Sequence, residues 1–199
     1  MDARFWDERY RENGFAYGDQ PNDFLRDQAA ALTPGDAICL AEGEGRNAVH
    51  LAALGHRVIA QDLSVVGLEK ARSLAAQRGL QLKTLEGDLA DWRAAPASLD
   101  LVVAIWMHLP APLRARVLRE AVSALRPGGV LVLEAYTPRQ LGRGSGGPPV
   151  LELLVEPLQL ERELQGLDLV ILRECVRPIA EGRYHQGDSA VVQALGRKP

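Results

Sequence analysis

Residues 37–52 read AICLAEGEGRNAVHLA, which predicts a buried strand, a tight glycine turn and a helix. The first five residues show no polar alternation, as expected of a strand covered on both faces in a parallel sheet. Gly43 and Gly45 let the backbone turn sharply and approach a ligand without a Cβ in the way. The helix begins near Arg46, so its free N–H groups and its positive dipole end face whatever the turn holds. This geometry suits a nucleotide or a nucleoside-like cofactor.

A second apolar stretch, residues 56–62, reads HRVIAQD and ends in Asp62, nineteen residues after Gly43. An acid about 20 residues past such glycines, at the end of the second strand, can accept both hydroxyls of a ribose. The alternative is a surface acid that caps the next helix, a role that Ser64 could fill instead. The ribose interpretation is favoured, although Ala48 stands where the dinucleotide fingerprint has its third glycine.

Composition and charge narrow the class of protein. A length of 199 residues with 47% hydrophobic residues is enough for one domain, 1–199, with a sizeable core. The net charge of −3 and the dispersed Lys and Arg predict neither a nucleic-acid nor a membrane partner. No signal-like or membrane-length apolar run is present, so a cytoplasmic location is expected. Cys39 and Cys175 lie in apolar stretches, which predicts buried free thiols, with no disulfide and no metal site.

Strands alternate with helices from residue 37 onward, which predicts an open parallel sheet with right-handed crossovers. The predicted strands are 37–41, 56–62, 81–86, 98–105 and 130–135, and the helices after the first are 64–78 and 111–124. Ligands of such sheets lie beyond the carboxyl ends of the strands. Asp62, Asp88, residues 106–108 and Tyr136 are all expected at that edge.

Two segments flank this pattern. Residues 1–32 are rich in aromatic residues and predict two short helices that pack on the core, with most rings serving that packing. Tyr10 and Tyr17 could instead belong to a lid over the cofactor site. Residues 137–150 contain four glycines and two consecutive prolines, which predicts a mobile loop at the ligand edge.

The C-terminal part departs from the βα pattern. A helix is predicted over 157–164, followed by strands 168–176 and 189–195 with the polar turn 181–187 between them. Two strands joined by only a turn must pair antiparallel. Because dinucleotide dehydrogenases do not usually end in this way, a nicotinamide-dependent dehydrogenase is disfavoured.

The ordered motifs resemble a class I S-adenosylmethionine-dependent methyltransferase of the tellurite-resistance and thiopurine-methyltransferase-like group. The resemblance spans nearly the whole chain and implies a Rossmann-like three-layer α/β/α sandwich. Its seven-stranded sheet would be mostly parallel, with an antiparallel last strand. The motifs that carry it are WDERY (6–10), GEGRN (43–47), Asp62, GDL (87–89) and LRPGG (125–129).

The resemblance also implies S-adenosyl-L-methionine as the cofactor, with Asp62 on its ribose and Asp88 and Leu89 on its adenine. The implied cofactor-binding residues are Tyr10, Tyr17, Glu42, Gly43, Gly45, Arg46, Asn47, Asp62, Leu63, Asp88 and Leu89. Two positions depart from the family pattern. Cys39 replaces the acid that helps to hold the methionine ammonium, and Ala41 replaces the first glycine. The nearby Glu42 is the expected substitute for that acid.

Methyl transfer is an in-line displacement in which positioning and desolvation provide most of the catalysis. A base is needed only when the nucleophile arrives protonated. The candidates are His108, after the fourth strand, and His185, in the final turn, and the resemblance favours His185. The expected acceptor is a thiol, a chalcogen oxyanion or another small metabolite, and the expected assembly is a monomer or homodimer. The alternative is a non-catalytic module that binds S-adenosylmethionine or S-adenosylhomocysteine.

Overall fold

The computed structural model describes residues 2–199, which form a seven-stranded sheet flanked by helices. The strands are β1 (Asp36–Cys39), β2 (Arg57–Asp62), β3 (Lys83–Glu86), β4 (Leu99–Ile105), β5 (Leu125–Tyr136), β6 (Asp168–Glu181) and β7 (His185–Arg197). The helices are α1 (Ala3–Tyr10), α2 (Asp23–Ala29), α3 (Arg46–Ala53), α4 (Val65–Gln77), α5 (Ala111–Ala124) and α6 (Pro157–Glu163). None of the helices within residues 2–199 is long and apolar enough to span a bilayer.

The strands are ordered β3-β2-β1-β4-β5-β7-β6 across the sheet. Strands β1 to β5 pair in parallel, whereas β7 pairs antiparallel with both β5 and β6. The last strand is thus inserted between its two neighbours in the opposite direction. The predicted α/β class, the mostly parallel seven-stranded sheet and the antiparallel last strand are confirmed.

Alternate residues of the central strands supply two separate apolar cores, one on each face of the sheet. Ala37 and Cys39 of β1 pack in the core that contains Phe24 and Leu68, from helices α2 and α4. Ile38, by contrast, packs in the core that contains residues of α5 and α6. Because both faces are covered, these strands carry apolar residues at consecutive positions over most of their length, the pattern from which burial was predicted.

The C-terminal hairpin is longer than the sequence predicted, and its turn is shorter. The β6 and β7 ladder continues to the pair Glu181 and His185, which leaves only Gly182–Tyr184 as the turn. The polar residues of 177–188 resemble a loop in sequence, but they belong to the end of the β6–β7 ladder. Polar residues are tolerated there because β6 is the edge strand of the sheet. The correction matters for the site, because it places His185 on a strand, directly opposite Glu181.

The remaining boundaries agree within a few residues, with one further exception. β5 begins at Leu125, five residues before the predicted start, because Leu125 pairs with Leu99 before an irregularity in the ladder that ends at Val130. The two predicted N-terminal helices are present as α1 and α2. Cys39 is buried as predicted, whereas Cys175, on edge strand β6, is partly exposed, so its predicted burial is wrong.

Candidate active site

A cavity of about 340 Å³ lies beyond the carboxyl ends of β1, β2 and β4. It is lined by most of the residues predicted from the sequence: Tyr10, Tyr17, Glu42, Arg46, Asn47, Asp62, Leu63, Asp88, Leu89, His108 and His185. The two predicted glycines, Gly43 and Gly45, are not part of its wall. Six elements that are distant in sequence therefore converge on one site, as the parallel topology requires.

Gly43 and Gly45 are needed for close packing behind the cavity. Both have left-handed backbones, with φ of +65° and +94°. A Cβ on Gly43 would lie 2.6 Å from the hydroxyl of Tyr10, and one on Gly45 would lie 2.5 Å from the Cβ of Ala71. Ala41, at the position of the missing first glycine, also has a positive φ, of +51°. The turn therefore keeps its shape with alanine there, at the cost of a strained residue beside the site.

Asp62 holds the glycine turn against the end of β2. Its carboxylate accepts the N–H of Gly43 at 2.7 Å and the N–H of Ser64 at 2.8 Å. The hydroxyl of Ser64 caps α4 by accepting the N–H of Gly67, so the helix does not depend on Asp62 for its cap. Burial raises the pKa of Asp62 to about 6. The carboxylate remains free to accept further hydrogen bonds from a ligand in the cavity.

Glu42 occupies the N-terminus of α3. One carboxylate oxygen accepts the N–H groups of Asn47 at 2.9 Å and Ala48 at 2.7 Å. Burial raises the pKa of Glu42 to about 7 despite these hydrogen bonds. The Cys39 thiol beneath it is also buried, and its pKa is raised for the same reason. Glu42 therefore lies beside Cys39, the residue that stands where the family has an acid. Its role in binding the methionine end of the cofactor remains a prediction.

The burial of Glu42 predicts a dependence of stability on pH. Because its folded-state pKa is raised from 4.5 to about 7, the folded protein holds an extra proton in this window, and stability falls as pH rises through it. The ionised carboxyl then costs the folded state about 3 kcal/mol, at 1.36 kcal/mol per pKa unit. The variant Glu42→Gln keeps an acceptor oxygen for α3, so we expect it to be more stable than the wild type by about 2–3 kcal/mol at pH 8 and nearly equal at pH 4.5.

Urea unfolding of both proteins at the two pH values measures this difference. Glu69→Gln is the matched control, since it removes an exposed carboxylate from α4. An equal effect of Glu42→Gln at both pH values would contradict the assignment of the pH dependence to this buried carboxyl.

One end of the cavity is enclosed by aromatic rings and two histidines. The rings of Trp106 and Tyr136 stack with centroids 4.3 Å apart, and the ring of His108 stacks on Tyr136 at 5.7 Å. His185 lies edge-on to Trp106 and Tyr136 and 4.6 Å from the ring of Tyr17. Burial lowers the pKa of His108 to about 3, and neither of its ring nitrogens has a hydrogen-bond partner. His108 is therefore neutral and enclosed, which leaves His185 as the better placed of the two candidate bases.

Glu181 is a functional candidate that the sequence reading missed. Its carboxylate accepts hydrogen bonds from Arg46 at 2.6 Å, Trp106 Nε1 at 2.6 Å and Asn22 at 2.9 Å. The side chain is only 5% exposed. It thus links helix α3 to the aromatic end of the cavity. Its position in a polar stretch of the sequence gave no sign of burial.

Behind Glu181 lies a second buried acid, Glu134 of β5. Its carboxylate accepts from Arg177 and Asn22 at 2.6 Å each and from Gln193 at 2.6 Å. A lone charged residue within the apolar strand VLVLEAY was a signal that could have revealed this network.

The glycine- and proline-rich loop, residues 137–150, packs against the hairpin beside the cavity. Gln140 accepts the N–H of Ala190, and the hydroxyls of Ser145 and Ser189 lie 2.8 Å apart. A Cβ on Gly146 would lie 2.7 Å from the ring of His185 and 2.9 Å from the hydroxyl of Tyr136. The loop therefore covers the aromatic end of the site, and its mobility remains a prediction.

The lining fits S-adenosylmethionine in size and charge. A cavity of about 340 Å³ lies within the range of small-molecule sites. Glu42, Asp62 and Asp88 supply carboxylates on one side, and Leu63 and Leu89 supply apolar surface between them. Acids suit the hydroxyls, the ammonium and the sulfonium of this cofactor, and the leucines suit the faces of its base.

Residues 37–129 match the methyltransferase domain family, a stretch a little under half of the chain. This stretch is similar in sequence to methyltransferase domains. It runs from β1 to the start of β5, and it contains the glycine turn, Asp62, Asp88 and His108 of the candidate site.

The chain is also similar to curated proteins. These include the tRNA 5-carboxymethoxyuridine methyltransferase of Escherichia coli K12, 35% identical over a 101-residue alignment that covers 47% of this chain and 37% of that protein. The chain thus spans little more than a third of the length of the curated relatives it matches.

Solved structures with the same fold include TehB from Haemophilus influenzae, with a TM-score of 0.74 at 15% identity over 99% of this chain and 67% of that one. A putative methyltransferase from Bacillus halodurans gives a TM-score of 0.70 at 19% identity, over 89% of this chain and 100% of that one. The resemblance to class I methyltransferases is confirmed. The predicted enzyme class and cofactor, methyltransferase and S-adenosylmethionine, agree with these matches.

Proposed function

We propose that this protein is an S-adenosylmethionine-dependent methyltransferase that transfers a methyl group to a small-molecule acceptor. The observation that carries the proposal is the cavity itself. Acids suited to the cofactor line one end of it, and an enclosed wall of aromatic rings and histidines forms the other. The two ends are continuous, so an acceptor held at the aromatic wall would face the cofactor across one small space.

A small acceptor is favoured over a tRNA by the charges at the site. Nucleic-acid binding relies on Lys and Arg that meet phosphates. The only such residue among the described lining residues is Arg46, which is paired with Glu181 at 2.6 Å. The E. coli relative is named for action on tRNA, but the family match ends at Gly129. His185, which lines the acceptor end, follows that residue, whereas Trp106 and His108 of the same end precede it.

The chain's own residues would contribute position and desolvation. Bound S-adenosylmethionine supplies an electrophilic methyl group on its sulfonium, and the sulfur departs uncharged. Asp62 would hold the ribose, Asp88 and Leu89 the adenine, and Glu42 the methionine ammonium. The aromatic wall would exclude water and orient the acceptor in line with the methyl group.

The first test is calorimetric titration of the wild-type protein with S-adenosylhomocysteine, for which we expect micromolar binding. The second is a transfer assay with methyl-labelled S-adenosylmethionine and a panel of thiols, phenols, selenite, tellurite and unmodified tRNA, read by mass spectrometry. Labelled methyl on tRNA alone would contradict the small-molecule acceptor. The absence of binding would contradict the whole proposal.

The second candidate function is a module that binds the cofactor without catalysis. It is favoured by one observation: Cys39 provides no charge where the family has an acid, and one oxygen of Glu42 is already engaged by α3. Tight binding of S-adenosylhomocysteine without transfer to any acceptor would favour this module. A cytoplasmic location and a monomeric or homodimeric state remain predictions under either function.

A further inference from the structure

The charges around the cavity select against an anionic acceptor. Four acids line it: Glu42, Glu44, Asp62 and Asp88. The one cation among the described lining residues, Arg46, is only 5% exposed and is neutralised by Glu181. At the aromatic end, His108 is neutral and Tyr136 is an uncharged phenol whose pKa is raised by burial. An oxyanion at the aromatic end would therefore find no unpaired positive charge in the part of the wall that the structure describes.

The two ring nitrogens of His185 have different surroundings. Nδ1 is enclosed and faces Glu181, with 3.6 Å between Nδ1 and the carboxylate oxygen Oε2. The ring lines the cavity, and Nδ1 is the nitrogen that is fully enclosed without a hydrogen-bond partner, so Nε2 is the nitrogen available to a ligand. A carboxylate at Nδ1 favours the tautomer with the proton on Nδ1. The lone pair of the ring then lies on Nε2.

We infer that the methyl acceptor enters uncharged, with a removable proton on its nucleophilic atom, and that His185 Nε2 takes this proton while Glu181 orients the ring. The inference rests on the proposed function and specifies its acceptor as a thiol or hydroxyl compound. The acceptor's bond to hydrogen breaks and the proton passes to Nε2. The electron pair left on the acceptor atom bonds to the methyl carbon as the carbon–sulfonium bond breaks, and the proton later leaves His185 for solvent.

The groups around His185 tune this proton transfer in opposite directions. Burial lowers the pKa of His185, and the positive charges of Arg46 and Arg9 lower it further, whereas Glu181 raises it. The remaining neighbours are Tyr17, Tyr136, Trp106 and His108, which carry no charge at neutral pH in these surroundings. His185 is thus held neutral before the transfer, and Glu181 stabilises the charge that forms on it, which makes Glu181 a positioning residue.

The test compares two acceptors that differ in protonation. An alkyl thiol is protonated at the assay pH, whereas an aryl thiol of low pKa is already ionised and needs no base. Because residues 2–199 offer no unpaired cation at the site, the wild type is expected to use the ionised thiol less well, so the variant is compared with the wild type on the same thiol. We expect His185→Gln to reduce transfer to the alkyl thiol by about a hundredfold or more, and transfer to the ionised thiol by only a few-fold. His50→Gln, on α3 and outside the cavity lining, is the matched control. Equal losses on both thiols would assign His185 a structural role and overturn the inference.

A readout independent of activity comes from NMR titration of the His185 ring protons. Because Glu181 raises the pKa of His185, the variant Glu181→Gln is expected to lower it, and an unchanged pKa would overturn the positioning role. If Glu181→Gln does not fold, Glu181→Asp keeps the charge and withdraws it by one methylene, with a smaller decrease expected.

The same panel separates this inference from the function on which it rests. More efficient transfer to selenite or tellurite than to the thiols, or no transfer to any thiol by a protein that binds S-adenosylhomocysteine, would overturn the uncharged acceptor alone. The absence of S-adenosylhomocysteine binding would overturn the proposed function itself.

Discussion

Replacing Asp62 by alanine is expected to weaken S-adenosylhomocysteine binding by about a hundredfold. The proposed role of this carboxylate is to accept both ribose hydroxyls, and hydrogen bonds to a charged group contribute about 1.5–3 kcal/mol each. Asp62 also accepts the N–H of Gly43, so its removal frees the turn that the cofactor must meet. A loss of about 3 kcal/mol corresponds to a factor of about 100 in the dissociation constant. Calorimetric titration measures it.

Asp36→Ala is the control for this variant. Like Asp62, Asp36 is an acid at the end of a central strand. Because it is the first residue of β1, it lies at the edge of the sheet opposite to Asp62, where it pairs with Arg57 and Arg126. Thermal unfolding of both variants distinguishes a lost contact from a lost fold. An affinity of the folded Asp62→Ala protein within threefold of the wild type would refute the ribose role.

The second large effect concerns stability. Arg114 of α5 and Glu163 of α6 form a bidentate ion pair, with nitrogen–oxygen distances of 2.8 and 2.9 Å. Their side chains are 1% and 5% exposed. The variant Arg114→Met leaves the carboxylate of Glu163 buried without a partner, which is expected to lower the free energy of unfolding by about 3–5 kcal/mol. Urea unfolding at neutral pH measures the change.

The double variant Arg114→Met, Glu163→Leu is expected to recover most of this loss, because apolar residues of similar volume can replace a buried pair. Arg4→Met breaks the exposed pair with Glu8 and is expected to leave the free energy of unfolding almost unchanged. A single-variant loss as small as that of Arg4→Met would show that water reaches Glu163. Helix α5 begins three residues after His108. Breaking the Arg114–Glu163 pair is therefore also expected to increase the mobility of His108 in the aromatic wall.

Much of the fold could be read from local patterns. Apolar strands, the glycine turn, the cap at Ser64 and the breaks between elements each depend on neighbouring residues and on the periodicity of strands and helices. The parallel arrangement follows from strands that alternate with helices, and it places Asp62, Asp88 and His108 at one edge of the sheet. Those residues were therefore predictable as a group before any contact between them was known.

The sequence by itself determined the alternation of strands and helices and the parallel direction of the first five strands, because both rest on short-range periodicity and right-handed crossovers. The inserted antiparallel strand was implied by the family resemblance, and the strand order was seen only in the structure. Only the tertiary structure decided the acceptor end. Glu181 bonds to Arg46 across 135 positions, and the β6–β7 ladder sets it opposite His185. No local pattern predicts such pairs, because a glutamate is the same residue in the sequence whether it is buried or exposed. Its burial depends on which strands become neighbours in the sheet.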